Sequence, residues 1–240
     1  MIKKILIIGS GFSSISAATY LADKGYQVSI FEKNRTYGGR ARNFKAKGFS
    51  FDMGPSWYWM PDVFEKYFND FNKSVSNYYT LKKLDPAYKV FFGTNDEIEI
   101  KGDINEIAKT FENLEKGSSK KLLNFMSEAK KNYSIAMDKI VYKPGISILE
   151  LITFQTLKRI RYFLTDIKSE IAKKFKHKKI RQILEFPVLF LGAKPENTPA
   201  SYNIMYHADF GLGTWFPDKG GMYKIVESMI ELAKEKGVEF

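Results

Sequence analysis

Two glycine-rich segments stand one helix and one strand apart near the start of the chain, Gly9-Ser10-Gly11-Phe12-Ser13-Ser14 and Gly38-Gly39-Arg40. The chemistry such residues can do is to hold a pyrophosphate. Gly9 permits a tight turn out of the apolar run Ile5–Ile8, which reads as a strand buried on both faces. Gly11 has no Cβ, so the backbone can approach a phosphate closely. The helix that follows, expected over Ser13–Lys24, points its N-terminal amides and dipole at that anion. Ser14 stands where the fingerprint has its third glycine, and is small enough for close helix–strand packing.

A second strand, Gln27–Phe31, ends at Glu32, about twenty residues beyond the turn, where a carboxylate accepts the ribose hydroxyls of a dinucleotide and repels a 2′-phosphate. The two glycine loops with Glu32 and Lys33 therefore read as the adenosine-diphosphate end of an FAD site. The candidate cofactor-binding residues here are Gly9, Gly11, Phe12, Ser13, Ser14, Glu32, Lys33, Gly38, Gly39 and Arg40.

Other chemistries find little support. The chain of 240 residues has no Cys and two His, His177 and His207. That leaves no disulfide framework or thiolate site, and no metal site or Ser-His-Asp arrangement is expected. His207 is expected to be a packed histidine. Residues 101–181 hold 19 Lys and Arg against 9 Asp and Glu. That excess suggests an anionic partner, and without a nucleic-acid motif a lipid surface is favoured over nucleic acid. The start Met1-Ile2-Lys3-Lys4 superficially resembles a signal peptide, but the apolar run after it is short for one. No stretch approaches the ~18 apolar residues of a membrane span. The expected location is cytoplasmic.

The elements that must position these residues follow from periodicity and breakers. Phe44–Phe51 reads as an extended piece broken by Gly48, and a helix is expected over Asp62–Phe71. Tyr88–Phe92 and Glu97–Lys101 flank a Gly-Thr-Asn-Asp turn and read as a hairpin. Asp103 and Glu106 suit a helix N-terminus. Helices are expected over 118–139, 148–165, 167–176, 179–186, 200–207 and 222–236, with a short extended piece at 214–217. Residues 237–240 look like the beginning of a strand, so the chain reads as the N-terminal portion of a longer protein with an incomplete parallel sheet.

On these residues the chain resembles the bacterial-type phytoene (carotenoid) desaturases of the FAD-dependent amine-oxidase-like superfamily. The resemblance is carried by Ile7–Ser14, Phe31–Arg42, the segment Gly48–Ser56 (the family's G-F-x-F-D-x-G-P stretch) and Thr214-Trp215-Phe216-Pro217 followed by Gly220-Gly221. It implies an α/β fold, a Rossmann-like FAD-binding domain left incomplete, with an inserted, mostly helical substrate- and membrane-facing region. The implied division is 1–85 for the FAD core, 86–210 for the hairpin and helical region, and 211–240 for the return. Family members are about twice this length, so a C-terminal half that completes the FAD domain is implied to be missing.

The resemblance further implies that Gly38-Gly39 pass close to the FAD pyrophosphate and ribityl chain, and that Arg40 offers charge-assisted bonds there. It places Gly54, Pro55 and Ser56 near the isoalloxazine. The implied reaction is desaturation of a lipophilic polyene such as phytoene, by hydride transfer from an allylic C–H to flavin. No catalytic residue is named. Trp57, Tyr58 and Trp59 are either channel or core. A membrane face is sought over Ile148–Phe163, where Leu149, Ile152, Leu157, Ile160 and Phe163 accompany Lys158, Arg159 and Arg161. The enzyme would then sit peripherally on the inner face of the membrane. Carotenoid isomerase or saturase, flavin amine oxidase, and an inactive membrane-binding fragment remain the alternatives, and the oligomeric state stays open.

Overall fold

Met1 and Ile2, which open the signal-peptide-like start, lie outside the described residues; the computed structural model describes residues 3–240. Contacts divide the chain into two units, Met1–Lys83 with Trp215–Phe240, and Leu84–Thr214 between them in sequence.

The first unit is built on parallel strands. Lys4–Ile8 pairs with Gln27–Phe31 in register from Lys4↔Gln27 to Ile8↔Phe31. The amide of Ile30 donates to the Glu239 carbonyl at 2.8 Å and the Glu239 amide to the Val28 carbonyl at 3.0 Å, so residue 239 bridges to the outer edge of the second strand in parallel. Helix Phe12–Asp23 forms the crossover between the first two strands, and helix Tyr223–Glu235 leads to residue 239. Val28 and Ile30 are buried with Ile15 and Ala18 of one helix and Val226, Leu232 and Ala233 of the other.

Among the described residues only one face of this sheet is covered. Ile5 and Ile7 pack against the core, whereas Leu6 and Ile8 are 66% and 83% exposed. The expectation of a first strand buried on both faces is thus corrected: four consecutive apolar residues look alike whether one face or two is covered, and both helices lie against the same side.

Asn43–Ala46 and Phe49–Asp52 form an antiparallel hairpin, and the break expected at Gly48 in an extended Phe44–Phe51 piece is its turn. Lys47 and Gly48 take positive φ at its tip, the conformation that lets a two-residue turn match the strand twist. Helix Pro61–Asn69 follows, with Tyr67 and Phe68 buried. Leu81–Lys83 and Trp215–Pro217, where the chain leaves and re-enters this unit, pair antiparallel.

The second unit begins with the expected hairpin, Tyr88–Gly93 against Asp96–Ile100. Asp103 Oδ1 then accepts from the amides of Asn105 and Glu106 and starts helix Ile104–Leu114. Helix Ser118–Lys139 buries Leu122, Phe125 and Ala129. The Phe125 ring meets Phe175 at 6.2 Å and Tyr206 at 5.0 Å. Helices Ile167–Ala172 and Lys178–Glu185 complete this core with Ile171, Ile180 and Leu184.

The single helix expected over 148–165 is instead three short turns, Ile148–Leu151, Phe154–Leu157 and Arg161–Leu164. Ser147 caps the first of these turns, and Thr153 makes the break after it. The Thr153 hydroxyl accepts the Thr156 amide at 3.1 Å while Thr156 Oγ1 donates to the Thr153 carbonyl at 3.0 Å, so local side-chain bonds replace helical ones. The helix expected over 200–207 continues further, through 3₁₀ and α turns into a π turn at His207–Gly211. Among the described residues no helix is long and apolar enough to cross a membrane.

Candidate functional site

The first unit brings most of the predicted cofactor residues to the carboxyl ends of its first two strands. Gly9 has φ +90°, a conformation that favours glycine, and an added Cβ would meet nothing within 4 Å. Gly11 is equally open on its Cβ side and stands at the N-cap of helix Phe12–Asp23, where no side chain caps the helix. The leading amides of Phe12, Ser13 and Ser14 therefore remain available to an anion. The Gly38 amide donates to the Ser10 carbonyl at 2.9 Å and ties the second glycine loop to the first. A Cβ at Gly39 would stand 3.3 Å from the Gly11 Cα. The two glycine loops thus touch backbone to backbone.

Gly54 closes the group from behind. A Cβ there would lie 2.2 Å from the Arg40 carbonyl oxygen, so only glycine lets the end of the Phe49–Asp52 strand press against the Gly38–Ala41 turn. Arg40 is exposed and makes no ion pair among the described residues, and Lys33 is exposed beside Glu32. The Phe12 ring packs edge-on to Phe64 at 6.1 Å against the core, so what Phe12 offers the site is its amide. Pro55 and Ser56 are exposed. Of the neighbouring aromatics, Tyr58 is core, its hydroxyl 2.9 Å from that of Tyr79, while Trp57 and Trp59 are half-buried and stacked on one another.

Glu32 is more engaged than its spacing suggested. Oε2 accepts from the Ser10 amide at 2.9 Å and hydroxyl at 2.7 Å; Oε1 accepts from the Asn34 amide at 2.9 Å and side chain at 2.7 Å. Four donors fill the lone-pair sites of one carboxylate. These bonds, the Asn34 amide first and the Ser10 hydroxyl next, hold the Glu32 carboxyl down to about 2. Its folded pKa is depressed, so this fastening is complete above the ordinary glutamate range and is lost as pH falls toward 2. Glu32→Ala is expected to free the Ser10 turn and cost roughly ten- to a hundredfold in affinity for ADP, the range for losing charge-assisted bonds. Titration calorimetry with ADP checks this, and unchanged affinity would show the carboxylate to be only a strut.

One participant was not legible as such. Asp52 Oδ2 accepts the Met222 amide at 2.8 Å and Oδ1 the Tyr223 amide at 3.1 Å, capping helix Tyr223–Glu235. A Cβ at Gly221 would lie 2.6 Å from Asp52 Oδ2. Asp52 and Gly220-Gly221 lie in two separate sequence motifs, and the cap is what joins them.

In the second unit, His207 packs its ring against Tyr133 at 5.1 Å, in keeping with the packed histidine expected.

A parallel strand–turn–helix–strand with open amides at the helix N-terminus, and a carboxylate at the end of the second strand, defines a Rossmann-like dinucleotide-binding unit interrupted in sequence by a mostly helical one. Residues 7–73 match the family of NAD(P)-binding Rossmann-like domains. The chain is 41% identical over 99% of its length to a carotenoid 3,4-desaturase of Haloarcula japonica, covering 48% of that protein. It is 30% identical over 99% of its length to a ζ-carotene-forming phytoene desaturase of Myxococcus xanthus, covering 46% of it. An oxidoreductase from Methanosarcina mazei shares the fold, with TM-score 0.60 at 18% identity over 98% of this chain and 50% of that one. The chain is similar to these two carotenoid desaturases along nearly its whole length, and it spans about half the length of the curated relatives it matches.

Proposed function

We propose that this chain is the dinucleotide-holding part of an FAD-dependent carotenoid desaturase acting on a lipophilic polyene taken from a membrane surface. The observation that carries the reading is the 41% identity to a carotenoid 3,4-desaturase over 99% of the chain. The residues present fit the adenosine-diphosphate end of FAD. The open Cβ sides of Gly9 and Gly11 leave a cradle that a side chain would fill, before uncapped helix amides.

In this role Gly11, Phe12, Ser13 and Ser14 receive the pyrophosphate on their backbones. Glu32 takes the ribose hydroxyls in exchange for its Asn34 bonds. Gly38 and Gly39 allow the close approach of the second loop, and Arg40 and Lys33 add positive charge beside it. Gly54, with Pro55 and Ser56 after it, fixes that loop from behind. The chemistry FAD supplies when bound is acceptance of a hydride from an allylic C–H. A polyene offers no ionisable handle, so its recognition rests on apolar burial.

The helical unit, Leu84–Thr214, is the substrate- and membrane-facing part of this reading. Ile146, Leu149, Phe154 and Leu164 are each more than 60% exposed there, beside Lys158 and Arg161. Glu150 accepts the amides of Gly145, Ile146 and Ser147 and so holds the loop that presents Ile146 and Leu149.

An absorption spectrum tests the reading, taken on this chain and on the full reading frame to which it belongs. Bands near ~370 and ~450 nm, released as FAD on denaturation, are expected. If neither protein binds added FAD, the glycine loops are structural turns and the reading falls. Product analysis with phytoene against amines then tests the substrate class.

A further inference from the structure

Two cavities in the helical unit share one wall. The first, about 300 Å³, is apolar and lined by Ile135, Ala136, Ile140, Phe163, Tyr202 and Ile204 among others. The second, about 330 Å³, sets three lysines, Lys121, Lys173 and Lys174, and one acid, Glu128, around the Phe125 ring. Tyr162, 3% exposed, lines both. The Arg161 guanidinium lies 4.6 Å above its ring and donates from Nη2 to its hydroxyl at 2.8 Å. Arg159, on the apolar side, donates from Nη1 to Glu128 Oε2 at 3.0 Å and to Asn132 Oδ1 at 2.6 Å, so one hydrogen-bonded chain joins the two compartments.

The charge around them is one-sided. Residues 158–181 carry ten Lys and Arg against two Asp and Glu. Of those two acids, Glu170 pairs with Lys174 at 3.2 Å and Asp166 accepts the Ser169 amide at 2.7 Å. Lys121 is held by Glu115 at 2.6 Å. Arg161 and Lys173 have no carboxylate within ion-pair distance among the described residues. Outside the apolar cavity stands a collar of exposed apolar side chains, including Ile152, Phe154, Leu157, Ile160 and Leu164. The Lys158 ammonium lies over the Phe154 ring, 4.1 Å from its centroid, and so brings positive charge onto the collar.

We propose that these paired cavities bind one anionic glycerophospholipid of the bilayer. Its phosphate sits among Arg161, Lys173 and Lys174, one acyl chain end enters the apolar cavity past Tyr162, and the collar rests in the membrane. Charge complementarity decides for this occupant. An uncharged hydrocarbon would leave Arg161 and Lys173 without a counter-ion, whereas Lys121 and Lys174 already have theirs, and a nucleic acid would leave the collar in water. The apolar cavity is at the small end of ligand sites, which suits a chain end and not a whole lipid. This inference deepens the membrane part of the proposed function and stands without its flavin part.

The test uses the delipidated protein, flotation on vesicles of phosphatidylcholine with or without phosphatidylglycerol, and native mass spectrometry. Retention on the phosphatidylglycerol vesicles and a one-to-one phosphatidylglycerol adduct are expected. Arg161→Gln with Lys173→Gln should weaken vesicle binding by roughly thirtyfold, and Arg161→Lys with Lys173→Arg should restore it. Ala136→Phe, which fills the apolar cavity and leaves the collar, should keep vesicle binding and lose the adduct; Ala136→Leu is the smaller substitute should that variant misfold.

Equal retention on both vesicle types without an adduct overturns the lipid site and leaves membrane contact standing. No retention on either overturns both. An adduct formed equally well with glycerol phosphate, or one that survives filling of the cavity, shows a plain anion site and overturns the acyl-chain assignment. Flavin absorbance reads the desaturase proposal separately from all of these.

Discussion

Gly11→Ala leaves the fold intact and weakens dinucleotide binding by roughly ten- to a hundredfold, whereas Gly54→Ala, the same chemical change, destabilises the protein by about 3 kcal/mol. The difference lies in what each new methyl meets. Gly11 has φ −72° and ψ 171°, which alanine adopts freely, and its Cβ direction is open for 4 Å. Alanine there even gains about 0.4–1 kcal/mol by narrowing the unfolded ensemble. What it loses is close approach, since the methyl occupies the space through which a pyrophosphate must reach the helix amides.

At Gly54 the methyl would stand 2.2 Å from the Arg40 carbonyl oxygen and 3.3 Å from the Ala41 Cα. Both are backbone and cannot swing aside as a side chain would. The Gly38–Ala41 turn must retreat, opening the 2.9 Å bond from the Gly38 amide to the Ser10 carbonyl. Chemical denaturation and ADP titration on the two variants check this. Wild-type affinity in Gly11→Ala would show that no phosphate approaches that backbone, and wild-type stability in Gly54→Ala would show that the turn yields freely.

How much of this was legible in the sequence depends on the range of the cause. Helix Ser118–Lys139 and strand Gln27–Phe31 fell at the expected bounds because periodicity and flanking glycines fix them locally. Residues 148–165 looked helical by periodicity, yet the Thr153 and Thr156 hydroxyls bond locally and restart the helix at Phe154. Glu32 was legible by spacing, but its four donors were not, because they depend on how the Ser10 and Asn34 turns fold back on it. The Asp52 cap joins residues 170 positions apart in sequence and has no local signature. The exposure of Leu6 and Ile8 was equally hidden, because an apolar run does not say how many faces are covered.

Asp209 carries a large pH effect between pH 3 and 8. It is 2% exposed at the π turn; Oδ2 accepts the Tyr88 hydroxyl at 2.7 Å and Oδ1 the Thr214 hydroxyl at 3.2 Å. Burial raises its carboxyl to about 7, the two hydroxyl bonds only partly offsetting the desolvation. Tyr88 and Tyr206, which face it, have hydroxyls pushed further up by burial, so neither titrates in the same range.

A raised acid in the folded state means the unfolded chain ionises first. Stability is full below the ordinary aspartate range, falls as pH rises toward 7, and levels off above, the whole penalty being on the order of 4 kcal/mol. Asp209→Asn keeps both partners, since its amide oxygen accepts from Tyr88 and its NH₂ donates to Thr214, and it has nothing to ionise. The variant should therefore match the wild type near pH 3 and exceed it by several kcal/mol at pH 8. Denaturation midpoints measured across that range, followed by a probe in the helical unit, decide the matter. Parallel curves for the two proteins would mean that Asp209 is already ionised and solvated in the folded state.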